Sequence, residues 1–378
     1  MKLAMLNGLT AQQFLSEYWQ KKPLLIRGAF PGFQNFVSFE SLQTLAQRDD
    51  VLSRLVVERE GEWSLKQGPL KASDFRGLKR AHWSFLVQGI DQLLTAGKTL
   101  LSHFDFIPYA RLDDLMISFA PKDGGVGAHF DSYDVFLLQG QGHKRWQVSQ
   151  QQDHELIPDA PLRILRCFKM EQEWILGPGD MLYLPPRYAH YGIALNDNLT
   201  YSIGFRAASR QELLTQFLVH LQDRLIAEGM YEDADLKPQA HPAEIGTSMI
   251  ERVASMINQI TWNKRDIAQF LGSYLTEPKP HIFFDPPARP LSLAKFHQSV
   301  EKKGLHLSLK SQLLFAGEQM FMNGEEVSVQ GTARECLIRL ADKRVLPGPL
   351  ALPEGARSLL YDWYQAGYVR LGERVVNE

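Results

Sequence analysis

The sequence predicts a mixed α and β protein in which a β-sandwich or barrel comes first, a jelly roll being one solution, helices follow, and the last segment is compatible with a winged-helix module. Three observations predict it. Between 112 and 206, short apolar strands are punctuated by Gly, Pro and Asp turns, which argues for a sandwich or barrel rather than a parallel sheet. From 207 to 276 that alternation disappears and apolar residues recur at helical spacing. After a Pro-rich break, EPKPHIFFDPPARP at 277–290, the order is helix, strands, helices.

Each element has a local reason. Thr10 caps a first helix over 10–20, where Phe14, Tyr18 and Trp19 recur at helical spacing. PLLIRGAF at 23–30 reads as a strand closed by a glycine turn, and Ser38 starts a second helix through Leu45. Between 53 and 88 the pattern is short strands, SRLVVER, EWSLKQ and HWSFLVQG, before residues 91–101 return to helical spacing. The strand-rich block contains LDDLMISF, YDVFLLQG, KRWQVSQ, ILRCFKM, DMLYLPP, HYGIAL and LTYSIGFR. Ser209 and Glu212 predict a capping box for a helix to about 228, with further helices at 243–260 and 264–275. Beyond the break come a helix at 292–303, two or three strands around FAGEQMFMNGEEV, and helices at 332–342 and 355–366. The expected divisions are therefore 1–206, 207–276 and 277–378.

Composition excludes several function classes. The 378 residues suffice for two or three domains. With 41 basic and 43 acidic residues, the net charge of −2 is not that of a generic polyanion binder. Residues 290–378 carry 11 basic and 10 acidic residues, with no basic stripe, so a winged-helix DNA-binding regulator is the disfavoured alternative and no nucleic-acid partner is expected. Two cysteines, Cys167 and Cys336, form no CxxC pair and no disulfide framework. No signal segment and no membrane span is read, so a soluble cytoplasmic protein is expected.

The chemistry concentrates in GVGAHFDSYDVFLLQGQGHKRW, residues 125–146. His129 and Asp131, with His190 further on, supply two histidines and a carboxylate, the donor set of non-haem Fe(II) oxygenases. HFD also occurs at His103–Asp105, so spelling alone decides nothing. Context separates the two: His129 follows a flexible GGVG turn and precedes Lys144 and Trp146, whereas His103 ends a helix-like segment. His190 lies just past the Pro-Pro bend of GPGDMLYLPPRYAHYG. His143 competes for the third position, but strand alternation points it away from Lys144. His82, His154, His220 and His306 have no such context and read as structural. Lys144 and Trp146 share one strand face, where a buried ammonium requires an anion such as a cosubstrate carboxylate. Ser118 and Thr200, on neighbouring strand patterns, are candidate donors to that anion.

Taken together, DDLMISFAPKDGGVGAHFDSYDVFLLQGQGHKRW, GPGDMLYLPPRYAHYG and YSIGFRA resemble the Jumonji-C oxygenases of the cupin-4 group. The resemblance is to the bacterial ribosomal oxygenases that hydroxylate an arginine of large-subunit ribosomal protein sixteen, and it covers almost the whole chain. It implies a cupin-type Jumonji-C jelly roll, a helical dimerisation region and a C-terminal winged helix. It implies Fe(II) held by His129, Asp131 and His190, and 2-oxoglutarate held at its 5-carboxylate by Lys144, with Ser118 and Thr200 as further contacts. A large-subunit ribosomal protein as substrate and a homodimer are implied as partners, and a histidyl-hydroxylating relative is the alternative. An arginine substrate would require acidic or aromatic groups near the mouth, for which Tyr133, Asp134 and Asp123 are the candidates by position.

Overall fold

Thr10 accepts the Gln13 amide while the Gln13 side chain returns to the Thr10 amide, and this capping box starts helix α1 (Ala11–Glu17). The structure, a computed structural model, describes residues 2–372. After α1 come β1 (Leu24–Ile26), α2 (Phe39–Leu45), β2 (Ser53–Arg59), β3 (Glu62–Gln67), β4 (Trp83–Val87), α3 (Ile90–Leu93) and α4 (Thr95–Ser102). The strand-rich block holds β5 (Leu112–Ala120), β6 (His129–Phe130), β7 (Asp134–Gln141), β8 (Lys144–Ser149), β9 (Gln172–Leu176), β10 (Met181–Leu184), β11 (Ala189–Ala194) and β12 (Asn198–Phe205).

These strands build two facing sheets, the jelly roll of a cupin. The larger has the order β1-β10-β7-β12-β5-β4-β2-β3, and the smaller β6-β11-β8-β9. Alternation on β7 assigns the two faces of the larger sheet. Phe136 and Leu138 point to the main core, with Phe14, Tyr183 and Phe205. Val135 and Leu137 point the other way and meet Trp146 and Val148 of the smaller sheet. Apolar burial on both sides of one strand explains why YDVFLLQG reads as a nearly continuous apolar run.

One predicted strand is corrected. ILRCFKM forms no strand, apart from an isolated bridge at Leu165. The Leu165 amide donates to the Ala128 carbonyl and the Arg166 amide to Glu155, so this segment hangs from loop neighbours. The edge strand is instead β9, whose exposed Gln172 and Glu173 hid it from an apolar count.

The remaining elements are α5 (Arg210–Gln222), α6 (Thr247–Ile257), α7 (Lys264–Thr276), α8 (Leu293–Lys303), β13 (Gly304–Leu307), β14 (Leu313–Ala316), β15 (Gln319–Met322), β16 (Glu325–Val327), α9 (Gly331–Lys343), β17 (Val345–Pro347), α10 (Glu354–Gln365) and β18 (Val369–Leu371). The chain folds as two compact units. One gathers the chain up to Ala207, Pro278–Ser311, and the chain from Gln330 onward. It contains the jelly roll and the sheet β17-β13-β18 with helices α8, α9 and α10. The other holds Ala208–Glu277 and Gln312–Val329. There the β14-β15-β16 sheet meets α7, and Phe321 lies so close over Gly272 that any Cβ would overlap its ring.

In that second unit Ser209 accepts the Glu212 amide, as its position predicts. The reciprocal half of the box is absent, because the Glu212 carboxylate accepts the Tyr274 hydroxyl at 2.5 Å instead. Helix α5 ends at Gln222, shorter than its apolar pattern suggests. No helix among the described residues is long and apolar enough to cross a membrane.

Candidate active site

The antiparallel pairing of β6 with β11 places His129 directly opposite His190. Their rings lie 4.2 Å apart between centroids. Asp131 follows two residues after His129, where the Asp131 carbonyl accepts the Arg187 amide just past the Pro-Pro bend. The His190 Nε2 to Asp131 Oδ2 distance is 3.7 Å. One donor atom from each of the three residues falls within 4.8 Å of the others.

Both histidines are oriented by the same device. His129 Nδ1 meets the carbonyl of Gly127 at 2.9 Å, and His190 Nδ1 meets the carbonyl of Tyr188 at 3.0 Å. A carbonyl can only accept, so Nδ1 carries the proton and Nε2 keeps its lone pair for a cation. Burial, with His129 alongside, pushes the His190 pKa down to about 4. The imidazole is therefore neutral near pH 7, as a metal ligand must be. These residues fit a divalent transition-metal ion.

A cavity of about 510 Å³ opens between the sheets at this cluster. Lys144 and Trp146 on β8 share its wall, with the ammonium 4.8 Å from the indole centre. Lys144 is only 6% exposed and has no ion-pair partner among the described residues. Burial lowers its pKa to about 8. Opposite, Ser118 and Thr200 are register partners on β5 and β12, both buried and both lining the cavity. The Thr200 hydroxyl donates to the Gln139 side chain at 3.2 Å.

Other candidates separate clearly. Tyr133 lines the cavity, and burial followed by the Asp131 carboxylate drives its hydroxyl pKa well upward. Asp134 does not line it. It is fully buried on the opposite face of β7, where it accepts from Tyr183 at 2.6 Å and Gln20 at 2.9 Å. Asp123 sits in a left-handed turn at φ 58, also outside the cavity lining. His103, of the second HFD, stacks on Phe30 away from the cluster, and His143 does not reach the cavity. His154 stacks on Phe130, His82 pairs with Glu58, and His220 packs against Phe270.

Several lining residues escaped the sequence reading. Asp113, Asp114, Met116 and Arg54 all line the cavity. The signal for two of them was present, since Asp114 and Met116 lie at even spacing from Ser118 on one strand. Arg54 leans across from β2, its Nη2 3.7 Å from the Met116 sulfur.

Gly192 was missed as well. It pairs with Trp146 across β11 and β8. A Cβ there would lie 2.6 Å from the indole ring and 2.9 Å from Lys144 Cε. Gly192→Val is therefore expected to displace both side chains, with an overpacking cost of about 1–3 kcal/mol. A lowered denaturation midpoint together with altered Trp fluorescence would check this.

Comparison with known proteins agrees with this geometry. The JmjC domain family matches residues 99–213, and the ROXA-like winged helix family matches 258–370. Ribosomal protein uL16 3-hydroxylase of Escherichia coli (strain K12) is 32% identical over 316 residues, covering 83% of this chain and 84% of that protein. A probable ribosomal oxygenase of Haemophilus influenzae is 41% identical over 210 residues, covering 54% of this chain and 52% of that protein. The structure of YcfD, a ribosomal oxygenase from Escherichia coli in complex with cobalt and 2-oxoglutarate, superposes with a TM-score of 0.80 at 30% identity, covering 96% of this chain and 98% of that one. With a histidine pair, a carboxylate and a buried lysine converging in a jelly roll, and with relatedness over most of both chains, this chain belongs to the JmjC-domain ribosomal oxygenases.

Proposed function

We propose that this protein is an Fe(II)- and 2-oxoglutarate-dependent hydroxylase acting on an arginine of a large-subunit ribosomal protein of the uL16 type. The observation that carries the reading is Lys144, a buried ammonium with no ion-pair partner among the described residues, set in the same cavity as the His129, Asp131 and His190 cluster. The three ligands would hold the iron, and Lys144 would hold the distal carboxylate of 2-oxoglutarate, with Ser118 and Thr200 donating to it. When bound, iron with 2-oxoglutarate and dioxygen supplies an oxidant for an unactivated C–H bond, releasing succinate and carbon dioxide. The cosubstrate complex of YcfD and the uL16 3-hydroxylase relative support both halves of this assignment.

The chain's own residues then bind and orient. Val135, Leu137 and Trp146 line the cavity with apolar surface and exclude water from the reacting bond. A guanidinium entering beside Tyr133 would meet the carboxylate of Asp114, whereas Asp113 already pairs with Lys279 at 3.1 Å and Arg206 at 3.6 Å. Asp114 thus replaces Asp134 and Asp123 as the acidic recognition group. Asp114 is buried, and burial with the neighbouring Asp113 and Asp91 raises its pKa to about 7.

A pH profile follows. The raised carboxyl is neutral below about 7, so the KM for an arginine peptide should fall as pH rises through that value. The lowered ammonium discharges above about 8, so the KM for 2-oxoglutarate should rise there. Separate KM measurements for each substrate between pH 6 and 9 would show opposite trends.

Succinate release with uL16 fragments, read together with a mass gain of about 16 units on the peptide, tests the function directly. Gain on a histidine peptide alone would favour a histidyl hydroxylase. No turnover with any ribosomal-protein peptide would end the reading. Three working parts are proposed: catalysis in 1–206, dimerisation in 207–276 and the winged helix in 277–378. Helix α5 presents Leu214 and Leu218, each 62% exposed, as a face suited to a second copy in the cytoplasm. Light scattering should give twice the chain mass, and Leu214→Glu with Leu218→Glu should return it to the monomer.

A further inference from the structure

Strand β5 changes partners halfway along. On one edge β12 pairs with it from Ala120 to Leu112. On the other, β4 pairs only with Phe119, Ser118 and Ile117. Strand β4 then ends at Val87, and the chain turns through Gly89, at φ 66, into α3. Two groups of that turn take over the edge that β4 leaves. The Gly89 amide donates to Asp114 Oδ2 at 3.2 Å. Asp91 Oδ1 accepts the Leu115 amide at 3.1 Å, in the place of a strand carbonyl.

The other oxygen of Asp91 accepts from Lys98 Nζ at 2.9 Å, and the two side chains are 1% and 5% exposed. Gly97 brings α4 this close, since a Cβ there would lie 3.0 Å from the Ile90 carbonyl and 3.1 Å from Asp91 Cα. Burying an ion pair is costly, and apolar residues of similar volume commonly hold a fold as well. What an apolar residue cannot do is accept the Leu115 amide. Asp91 supplies that acceptor, and Lys98 keeps its charge compensated at this depth.

We propose that the Asp91–Lys98 pair is a positioning device for Asp114, setting affinity for the cationic target side chain without touching it. This rests on the reading that Asp114 receives the guanidinium. The pair pins the backbone of β5 one residue beyond Asp114, and the Gly89 amide pins the carboxylate itself. Without the pin, the half of β5 that β4 does not cover loses its register with the α3 turn, and Asp114 leaves the cavity wall. Ser118 lies in the half that β4 does cover, so the cosubstrate end of the cavity is unaffected.

Two double variants of the full-length, iron-loaded protein isolate the acceptor. Asp91→Ala/Lys98→Met leaves neither buried charge nor acceptor. Asp91→Asn/Lys98→Met leaves no charge but keeps an amide oxygen for Leu115. The first should raise the KM for an arginine-bearing uL16 peptide roughly 10-fold, the scale of one lost buried hydrogen bond. Its KM for 2-oxoglutarate and its peptide-independent turnover of 2-oxoglutarate should stay within about 2-fold of the parent. The second should return the peptide KM to within about 3-fold of the parent. Asp114→Asn is run alongside. If it raises the peptide KM while Asp91→Ala/Lys98→Met does not, the positioning role is wrong and the Asp114 reading stands. Equal rises in both KM values for the first variant would mean general damage and would also overturn it. An Asp114→Asn protein with parental peptide KM would sink the recognition reading, and this proposal with it.

Discussion

Lys144→Met is expected to raise the KM for 2-oxoglutarate by roughly 30-fold to several-thousand-fold, because losing one partner of a buried charge pair costs about 2–5 kcal/mol. The ammonium is buried beside Trp146, and no carboxylate among the described residues pairs with it. The same substitution should leave the ligand-free protein at least as stable as the parent, since a buried charge is replaced by an apolar chain of similar length. Stability up and cosubstrate affinity down is an opposed pair of effects that a merely structural lysine would not give. Chemical denaturation without ligand, and succinate formation against 2-oxoglutarate concentration, read the two sides. Lys144→Arg should keep much of the affinity, because its guanidinium also carries the charge a carboxylate needs.

Removing a residue of the proposed metal cluster should have the largest effect on activity. His190→Ala is expected to lower bound iron and succinate formation by at least about 100-fold, since changing even an outer partner of a ligand commonly costs 10- to 100-fold in affinity. Metal analysis after dialysis checks the first effect and peptide turnover the second. The control is His103→Ala, in the other HFD. Its ring stacks on Phe30 at 5.3 Å and lies outside the cavity lining, so iron content should be unchanged. Equal iron loss in both variants would mean that the cluster of His129, Asp131 and His190 is not the metal site.

Much of this was legible in the sequence because it is local. Short strands such as LDDLMISF, YDVFLLQG and LTYSIGFR between Gly, Pro and Asp turns announce the sandwich, and Thr10 and Ser38 announce their helices through the amides they accept. The placing of Lys144 and Trp146 on one face also follows from strand periodicity alone. QEWIL was missed because an edge strand needs no apolar run, and ILRCFKM misled because Ile164 and Leu165 are buried against Gly127 and Ala128 without joining a sheet.

Asp134 and Asp114 mark where local reasoning stops. Both are buried acids on central strands, yet position in the sequence marks only Asp134 as a group near a mouth. Periodicity says which residues share a face, but not which face meets the second sheet. That is decided when β7 packs Phe136 into the main core and Val135 against Trp146. Asp134 then points to Tyr183, while Asp114 points into the cavity. The interleaving of 312–329 with the helical unit has the same origin, since it rests on tertiary contacts such as the close seat of Phe321 on Gly272 and the Gly324 amide donating to the Thr276 hydroxyl. Patterns along single segments carry the sandwich class, the close spacing of His129 and Asp131, and the shared face of Lys144 and Trp146, because each is local. Packing of the two sheets sets His129 opposite His190, clears space for Trp146 at Gly192, and selects the carboxylates that face the cavity. Those depend on how two sheets pack across a cavity, and no single segment carries that information.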